Sequence, residues 1–125
     1  MATRKMALVI DDKSEIRTAT KTFLSLSGFD AVLACDGLEA KGQLEARSFD
    51  LVVCDIEMPN MNGFELLAFA RKHPASAKIP VIMLSSLEAD DVKLRCEKLG
   101  AQAYIVKPFT LDSMKGALAK AGFVA

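Results

Sequence analysis

Short apolar runs alternate along this chain with stretches in which apolar residues recur at helical spacing. The runs lie at residues 6–10, 31–34, 51–54, 81–84 and 103–106. Runs of this length, bounded by turn-forming residues, are typical of buried strands. The stretches that follow them predict helices at 13–27, 38–46, 64–72, 89–99 and 110–121. We therefore expect five strands that alternate with five helices.

Residues with special backbone preferences mark several of the predicted helix ends. Gly28 and Gly100 follow two of the helical stretches, where glycine readily takes the left-handed conformation that ends a helix. Pro74 disfavours helical geometry in the residue before it, and Thr110 is a typical N-cap. Leu26 and Leu38 count among the apolar positions that the first two helices are expected to turn toward the sheet.

Strands that alternate with helices predict a parallel sheet, because right-handed crossovers place helices on both of its faces. The predicted fold class is α/β, a doubly wound open sheet built as one domain from residues 1–125. In such sheets ligands bind outside the carboxyl ends of the strands, near the point where the strand order reverses. Functional residues are therefore expected directly after the apolar runs.

Composition narrows the range of partners and compartments. Sixteen basic and sixteen acidic side chains cancel, so no general attraction to nucleic acid or to a membrane surface is expected. The apolar runs are far shorter than the roughly 20 residues of a membrane span, and the first is too short for a signal peptide. Cys35, Cys54 and Cys96 lack metal or disulfide spacing and are expected to be reduced and mostly buried. The predicted location is the cytoplasm.

Charged and hydroxyl side chains directly follow four of the five apolar runs. They are Asp11 and Asp12, then Asp55, then Ser85 and Ser86, and finally Lys107. The carboxyl ends of parallel strands meet at one edge of the sheet, so these groups are expected to converge. Two carboxylates about 4 Å apart repel by about 4 kcal/mol at an effective dielectric constant of 20. A hard cation, Mg²⁺ or else Mn²⁺, would relieve that repulsion, and we expect a site for a divalent cation and a phosphoryl group.

Asp55 is the candidate nucleophile of this site. A carboxylate near a metal, Lys107 and Ser85 can attack an electrophilic phosphorus whose charge those groups neutralise. Simpler interpretations exist for each residue alone. Asp11 and Asp12 could cap a helix, and the others could be ordinary turn or loop residues. The constellation, rather than any single residue, supports the phosphoryl site.

Four segments resemble the receiver domain of bacterial two-component response regulators, including the single-domain chemotaxis type. The segments are V-I-D-D at 9–12, D-I-E-M-P-N-M-N-G-F-E-L at 55–66, P-V-I-M-L-S-S at 80–86 and G-A-Q-A-Y-I-V-K-P-F at 100–109. The resemblance covers essentially the whole chain. It implies a flavodoxin-like fold with strand order 2-1-3-4-5.

The same resemblance implies a metal site and a phosphoacceptor. Asp55 matches the phosphoacceptor of the family, and Asp12 matches a direct Mg²⁺ ligand. Asp11 matches an acidic neighbour that is usually linked to the metal through water, and the backbone carbonyl of Glu57 matches a further ligand. The implied function is a signalling switch that catalyses only its own phosphorylation and dephosphorylation, rather than an enzyme that turns over a substrate.

The resemblance also implies how phosphorylation is read out. Lys107 matches the lysine that pairs with the phosphoryl oxygens, and Ser85 the hydroxyl that follows the phosphoryl group on activation. Tyr104 matches an aromatic position that changes rotamer in the switch; the alternative role for it is a core or strand-edge aromatic. The implied donor is a histidine kinase or a histidine phosphotransfer protein. A target protein would dock on the face formed by residues 89–121.

Three other functions fit parts of the pattern. A Mg²⁺-dependent phosphohydrolase would need a second catalytic aspartate at the position of Glu57 and a cap domain. A nucleotide- or flavin-binding module would need a glycine- or hydroxyl-rich loop where Asp11 and Asp12 stand. A receiver-like domain that docks without phosphorylation would have no need of the complete site. With no output domain in 125 residues, docking is the expected output, and 55–59 and 84–87 are similar to chemotaxis-like receivers.

Overall fold

The structure, a computed structural model, describes residues 4–123, which form five strands and five helices. The strands are β1 (Lys5–Ile10), β2 (Phe29–Ala34), β3 (Leu51–Asp55), β4 (Val81–Ser85) and β5 (Ala103–Val106). The helices are α1 (Ser14–Leu26), α2 (Gly37–Ala46), α3 (Gly63–Lys72), α4 (Asp90–Lys98) and α5 (Leu111–Lys120). Each predicted strand and helix is confirmed, and the largest difference is that β2 begins two residues early, at Phe29.

The five strands form one parallel sheet in the order β2-β1-β3-β4-β5, as the resemblance implied. The strand order reverses at β1 and β3, because the chain leaves β1 for β2 on one side and returns to β3 on the other. Ile10 of β1 lies opposite Cys54 of β3 in this pair. The next residues, Asp11 and Asp55, therefore meet at the point of reversal, where α/β sheets bind ligands.

Apolar layers cover both faces of the sheet. Successive residues of a strand point to opposite faces, and in β1 Leu8 and Ile10 join one layer while Ala7 and Val9 join the other. Helices α2, α3 and α4 contribute to the first layer, and α1 and α5 to the second. Burial on both faces explains why the strands are continuous apolar runs rather than alternating patterns.

The helix ends follow the predicted signals. Gly28 and Gly100 have φ angles of 94° and 96°, and Thr110 accepts a hydrogen bond from the backbone N–H of Ser113 as the N-cap of α5. Helix α3 has a capping box in which Asn62 and Glu65 bind each other's backbone N–H, which the sequence analysis did not identify.

The expectation that Leu26 and Leu38 face the sheet was wrong. Their side chains are 67% and 58% exposed, whereas Leu24 and Ala40, two positions away, are fully buried. Two positions correspond to about 200° around an α-helix, so a helix that buries one residue of such a pair turns the other to solvent.

Among the cysteines, Cys54 and Cys96 are buried and Cys35 is exposed, and all three are free thiols. Two of the three are thus buried, as expected. Within residues 4–123, the helices are too short or too polar to cross a lipid bilayer.

Arg71 ties the end of α3 to two loops on the opposite side of the molecule from the site. Its guanidinium donates to the carbonyl oxygens of Ile79 and Gly100, both at 2.7 Å. It also lies 3.3 Å from the side-chain oxygen of Gln102, which accepts the N–H of Val81 at 2.7 Å. One side chain thus holds both the segment before β4 and the turn before β5.

We expect Arg71→Ala to lower the free energy of unfolding by about 3 kcal/mol, because hydrogen bonds from a charged donor contribute about 1.5–3 kcal/mol each. Urea unfolding followed by circular dichroism measures this loss. Lys72→Ala is the matched control, since Lys72 is the next residue of the helix and is exposed; its effect should stay within about 0.5 kcal/mol. A loss below about 1 kcal/mol for Arg71→Ala would contradict the assigned role.

Candidate functional site

Three carboxylates converge at the carboxyl end of the sheet. One side-chain oxygen from each of Asp11, Asp12 and Asp55 lies within 4.8 Å of the others. Asp11 directly follows β1 and is 0% exposed, and Asp55 ends the neighbouring strand β3 and is 2% exposed. Asp12, by contrast, is exposed. The N-cap of α1 is Lys13, whose side chain makes no capping hydrogen bond, and Asp11 Oδ1 accepts the N–H of Lys13 at 2.9 Å while Oδ2 faces Lys107.

Lys107 brings one positive charge to the three carboxylates. Its Nζ lies 2.7 Å from Asp11 Oδ2 and 3.0 Å from Asp55 Oδ1. The lysine follows β5, 96 residues after Asp11 in the chain, and the Lys107–Pro108 peptide bond is cis. Burial lowers the pKa of Lys107, but its hydrogen bond to Asp11 and the charge of Asp55 outweigh burial and raise it. Lys107 is therefore held in its charged form.

Asp55 carries a buried oxygen with unused bonding capacity. Oδ1 lies 3.0 Å from Lys107 Nζ, the distance of an ion pair, and within residues 4–123 it meets no donor in hydrogen-bond geometry. Burial and the charge of Asp11 raise the pKa of Asp55 to about 7, against the opposing effect of Lys107. A buried polar atom without a partner is unfavourable and needs an explanation.

The donor set fits a hard divalent cation. Three negative charges face a single ammonium, and carboxylate oxygens are the ligands that Mg²⁺ and Mn²⁺ prefer. Asp55 contributes one carboxylate oxygen to this set, and a cation bound there would offset the burial of its negative charge. The side chain of Glu57 points elsewhere, and a ligand role for its backbone carbonyl stays a prediction.

Ser85 ends β4 beside this cluster and is fully buried. Its hydroxyl donates to Glu57 Oε1 at 2.7 Å and accepts the N–H of Leu87 at 3.0 Å. Ser85 therefore lies at the predicted strand end, but its hydroxyl is bound to Glu57 rather than to Asp55 in this structure.

Tyr104 lies in β5, next to β4 in the sheet, where it pairs with Met83. Its hydroxyl donates to the carbonyl oxygen of Leu87 at 2.5 Å, and Lys93 Nζ lies 5.8 Å from the centre of its ring. The ring is only partly buried and packs against the edge of the first apolar layer. Tyr104 thus connects the loop after β4 with α4.

Gly63, the first residue of α3, packs against the backbone at the end of β3. A Cβ at this position would clash with the carbonyl oxygen of Asp55 and would lie 2.8 Å from Cα of Ile56 and 2.9 Å from Cε of Met83. Two of these obstacles are backbone atoms, which cannot rotate away. Only glycine allows α3 to begin this close to Asp55.

We expect Gly63→Ala to lower the free energy of unfolding by about 2 kcal/mol, the typical cost of forcing a carbon atom into packed surroundings. Gly42→Ala is the matched control, because a Cβ at Gly42 in α2 meets nothing within 4 Å. That change should instead stabilise the protein by about 0.5–1 kcal/mol through the higher helix propensity of alanine. Chemical denaturation of both variants tests the pair, and equal effects would refute the steric explanation.

Three contributions to the site were not predicted from the sequence. The first is the hydrogen bond that the Glu57 carboxylate accepts from Ser85. The others are the close packing of Gly63 and the guanidinium of Arg17, which donates to the carbonyl oxygen of Asp11 at 2.7 Å. The spacing of Glu57 two residues after Asp55 was the only available signal, and spacing alone does not show where a long side chain bonds.

Comparison with known proteins places the chain among phosphorylation-dependent signalling domains. Residues 7–119 match the family model of the response regulator receiver domain. The chain is 37% identical over 103 residues to the probable transcriptional regulator ycf27 of Cyanidium caldarium, covering 82% of this chain and 40% of that protein. It is 32% identical over 111 residues to protein PilG of Pseudomonas aeruginosa, covering 89% and 82%. The chain thus spans about two fifths of the length of the ycf27 relatives it matches.

Solved structures agree with this assignment. The chemotaxis protein CheY4 of Vibrio cholerae superposes with a TM-score of 0.88 at 28% identity, covering 94% of this chain and 98% of that one. The receiver domain of Francisella response regulator 1452 gives a TM-score of 0.84 at 32% identity, with 94% and 97% covered.

Proposed function

Because the chain belongs to the response regulator receiver domain family, we propose that it is a phosphorylation-activated switch whose phosphoacceptor is Asp55. The observation that carries the proposal is the buried Asp55 oxygen without a hydrogen-bond partner, beside two further carboxylates and Lys107. A reactive carboxylate needs both a free oxygen and neighbouring positive charge, and this arrangement supplies them.

In the proposed reaction a carboxylate oxygen of Asp55 attacks the phosphorus of a phosphohistidine. A new P–O bond forms as the P–N bond breaks, and the electron pair leaves with the imidazole, which takes a proton from solvent. Small acyl phosphates can replace phosphohistidine, since the bond that breaks then joins phosphorus to a carboxylate leaving group. Phosphoryl transfer depends mainly on positioning and charge stabilisation, so the chain need not supply a further covalent participant.

Asp11, Asp12, Asp55 and the backbone carbonyl of Glu57 are the proposed ligands of Mg²⁺, or of Mn²⁺ in its place. A cation bound there would neutralise the carboxylates and polarise the phosphoryl oxygens. Lys107 contributes from the other side, because its ammonium lies within 3.0 Å of Asp55 and can follow the negative charge onto the phosphoryl group. Removal of the cation with a chelator is therefore expected to stop phosphorylation.

The proposed output is a change in the face formed by residues 89–121, with Ser85 and Tyr104 as the switch residues. Two shallow grooves of about 230 and 320 Å³ open on this face, and both are lined by Ala103, Tyr104 and Lys120. A rotation of Tyr104 would alter both grooves at once. This geometry supports docking of a downstream target protein there.

The proposed phosphoryl donor is a histidine kinase or a histidine phosphotransfer protein. The proposed downstream partner is a target protein that binds the phosphorylated chain. A chemotaxis-like pathway is the favoured context, given the similarity to CheY4 and PilG. The proposed location is the cytoplasm. The balance of sixteen basic and sixteen acidic residues favours no direct contact with nucleic acid or membrane, and the proposed switch turns over no external phosphate ester.

Incubation with acetyl phosphate, followed by intact mass measurement, tests the proposal. In the presence of Mg²⁺ we expect the gain of one phosphoryl group per chain, and with a chelator no gain. Hydroxylamine should remove the group, because it cleaves acyl phosphates but not phosphate esters of serine or tyrosine. A metal-independent or hydroxylamine-resistant gain would refute the assignment.

A further inference from the structure

The side chain of Glu57 binds the hydroxyl group that the proposed switch requires. Ser85 Oγ donates to Glu57 Oε1 at 2.7 Å, and Ser86 Oγ lies 3.5 Å from the same oxygen. A hydroxyl has one proton to donate. Ser85 therefore cannot donate to Glu57 and to a phosphoryl oxygen on Asp55 at the same time.

The bond between Glu57 and Ser85 continues to Tyr104 through the backbone of Leu87. Ser85 Oγ accepts the N–H of Leu87 at 3.0 Å, and the carbonyl oxygen of Leu87 accepts the Tyr104 hydroxyl at 2.5 Å. Three consecutive hydrogen bonds thus join the loop after β3 to β5. Leu87 takes part in two of them. A displacement of Ser85 would therefore move the backbone of Leu87, including the carbonyl oxygen to which the Tyr104 hydroxyl donates.

We propose that Glu57 is a positioning residue that holds Ser85, Leu87 and Tyr104 in the unphosphorylated arrangement. This inference rests on the proposed function of Asp55. A phosphoryl group on Asp55 must compete with the Glu57 carboxylate for the Ser85 proton, and only when it succeeds does the loop at Leu87 release Tyr104. Glu57 therefore sets how readily the switch is activated.

The charge of Glu57 makes this restraint stronger than an uncharged acceptor would. Hydrogen bonds to a carboxylate are roughly twice as strong as those to a neutral acceptor. Glu57 also lies two residues from Asp55, so its charge opposes a further negative charge on the acceptor. The two effects act in the same direction, and an experiment must separate them.

The beryllium fluoride complex, a non-covalent analogue of the phosphoryl group, provides the first measurement. With Mg²⁺ present, we expect Glu57→Gln to bind it about tenfold more tightly than wild type, and Glu57→Ala at least as tightly, because a charge-assisted hydrogen bond no longer has to be broken. Glu88→Gln removes an equal charge from an exposed residue of the loop after β4. That control should change the affinity less than about twofold.

A double-mutant cycle with Ser85→Ala separates the hydrogen bond from the charge. In the Ser85→Ala background Glu57 has no Ser85 proton to retain, so the gain from Glu57→Gln should shrink from about tenfold to about threefold or less. An equal gain in both backgrounds would leave only electrostatic repulsion and would overturn the proposed restraint.

Tyr104 provides a second measurement that needs neither metal nor phosphoryl analogue. It is the single tyrosine of a chain without tryptophan, so the intrinsic fluorescence of the protein reports on this residue. We expect Glu57→Gln to shift the emission of the metal-free protein toward that of wild type bound to beryllium fluoride, and Glu88→Gln to leave it unchanged.

The outcomes distinguish this inference from the proposed function. If wild type fails to bind beryllium fluoride with Mg²⁺, both the acceptor site and the role of Glu57 are refuted. If wild type binds it but Glu57→Gln changes neither the affinity nor the Tyr104 emission, only the role of Glu57 is refuted. Circular dichroism of each variant confirms that these differences do not come from loss of folding.

Discussion

Asparagine in place of Asp55 is expected to abolish phosphorylation and, at the same time, to stabilise the metal-free protein at neutral pH. The amide has no nucleophilic oxygen of comparable reactivity, so no phosphoryl group should be gained from acetyl phosphate. The same change removes a charge that is buried beside Asp11. Intact mass and urea unfolding of one protein preparation measure both effects.

The size and the pH dependence of the stabilisation follow from the pKa of Asp55. Folding raises this pKa from an ordinary 3.8 to about 7, so between these values the folded state binds the proton more tightly than the unfolded state. The contribution of Asp55 to the free energy of unfolding is fully present below about pH 4 and is lost as the pH rises through 7. At about 1.4 kcal/mol per pKa unit, the difference between 3.8 and about 7 corresponds to about 4 kcal/mol, so Asp55→Asn should stabilise the metal-free protein by up to about 4 kcal/mol at pH 8.

The matched control is Asp50→Asn, which changes an exposed aspartate just before the same strand. Asp50 accepts the N–H of Met6 at 2.8 Å, and asparagine can keep that bond, so stability should change by less than about 0.5 kcal/mol. Saturating Mg²⁺ should narrow the gap between wild type and Asp55→Asn, because it stabilises the form with the ionised carboxylate. A variant that is less stable than wild type at pH 8 would contradict the buried-charge explanation.

Replacement of Lys107 by alanine is expected to slow phosphorylation by acetyl phosphate about 100-fold or more, the usual effect of removing one electrostatic contact to the transferred group. The same variant leaves Asp11 and Asp55 buried without a cation. Loss of one partner from a buried charge pair costs about 3 kcal/mol or more. At pH 6 the cost should be smaller than at pH 8, because Asp55 can then take up a proton.

Two further variants show whether charge or position matters at Lys107. Lys115→Ala removes an exposed lysine of α5 and should leave both the rate and the stability close to wild type. Lys107→Arg keeps the positive charge, but the planar guanidinium differs in shape from an ammonium that reaches two carboxylates. We expect an intermediate rate for it, measured by intact mass over time. A rate for Lys107→Ala within about threefold of wild type would exclude a direct role.

The sequence predicted the strands and helices to within two residues because their signals are local. Buried parallel strands need apolar residues on both faces, so β1 and β3 appear as continuous apolar runs. Glycine, proline and capping residues mark helix ends for reasons that lie within a few residues of the chain, as at Gly28 and Thr110. Burial of single positions was less predictable, since the orientation of a helix on the sheet decided that Leu24 rather than Leu26 is covered.

By itself, the sequence determined the alternation of strands and helices, the α/β class and the sheet edge at which Asp11, Asp55, Ser85 and Lys107 gather, because each of these depends on patterns of neighbouring residues. The tertiary structure alone decided which atoms meet there. The register of β1 on β3 sets Asp11 beside Asp55, and packing brings Lys107 to Asp11 across 96 residues of chain. The choice of Glu57 as the acceptor for Ser85 likewise depends on the packing of two loops. Such contacts depend on how remote segments fit together in space, and no local pattern of residues carries that information.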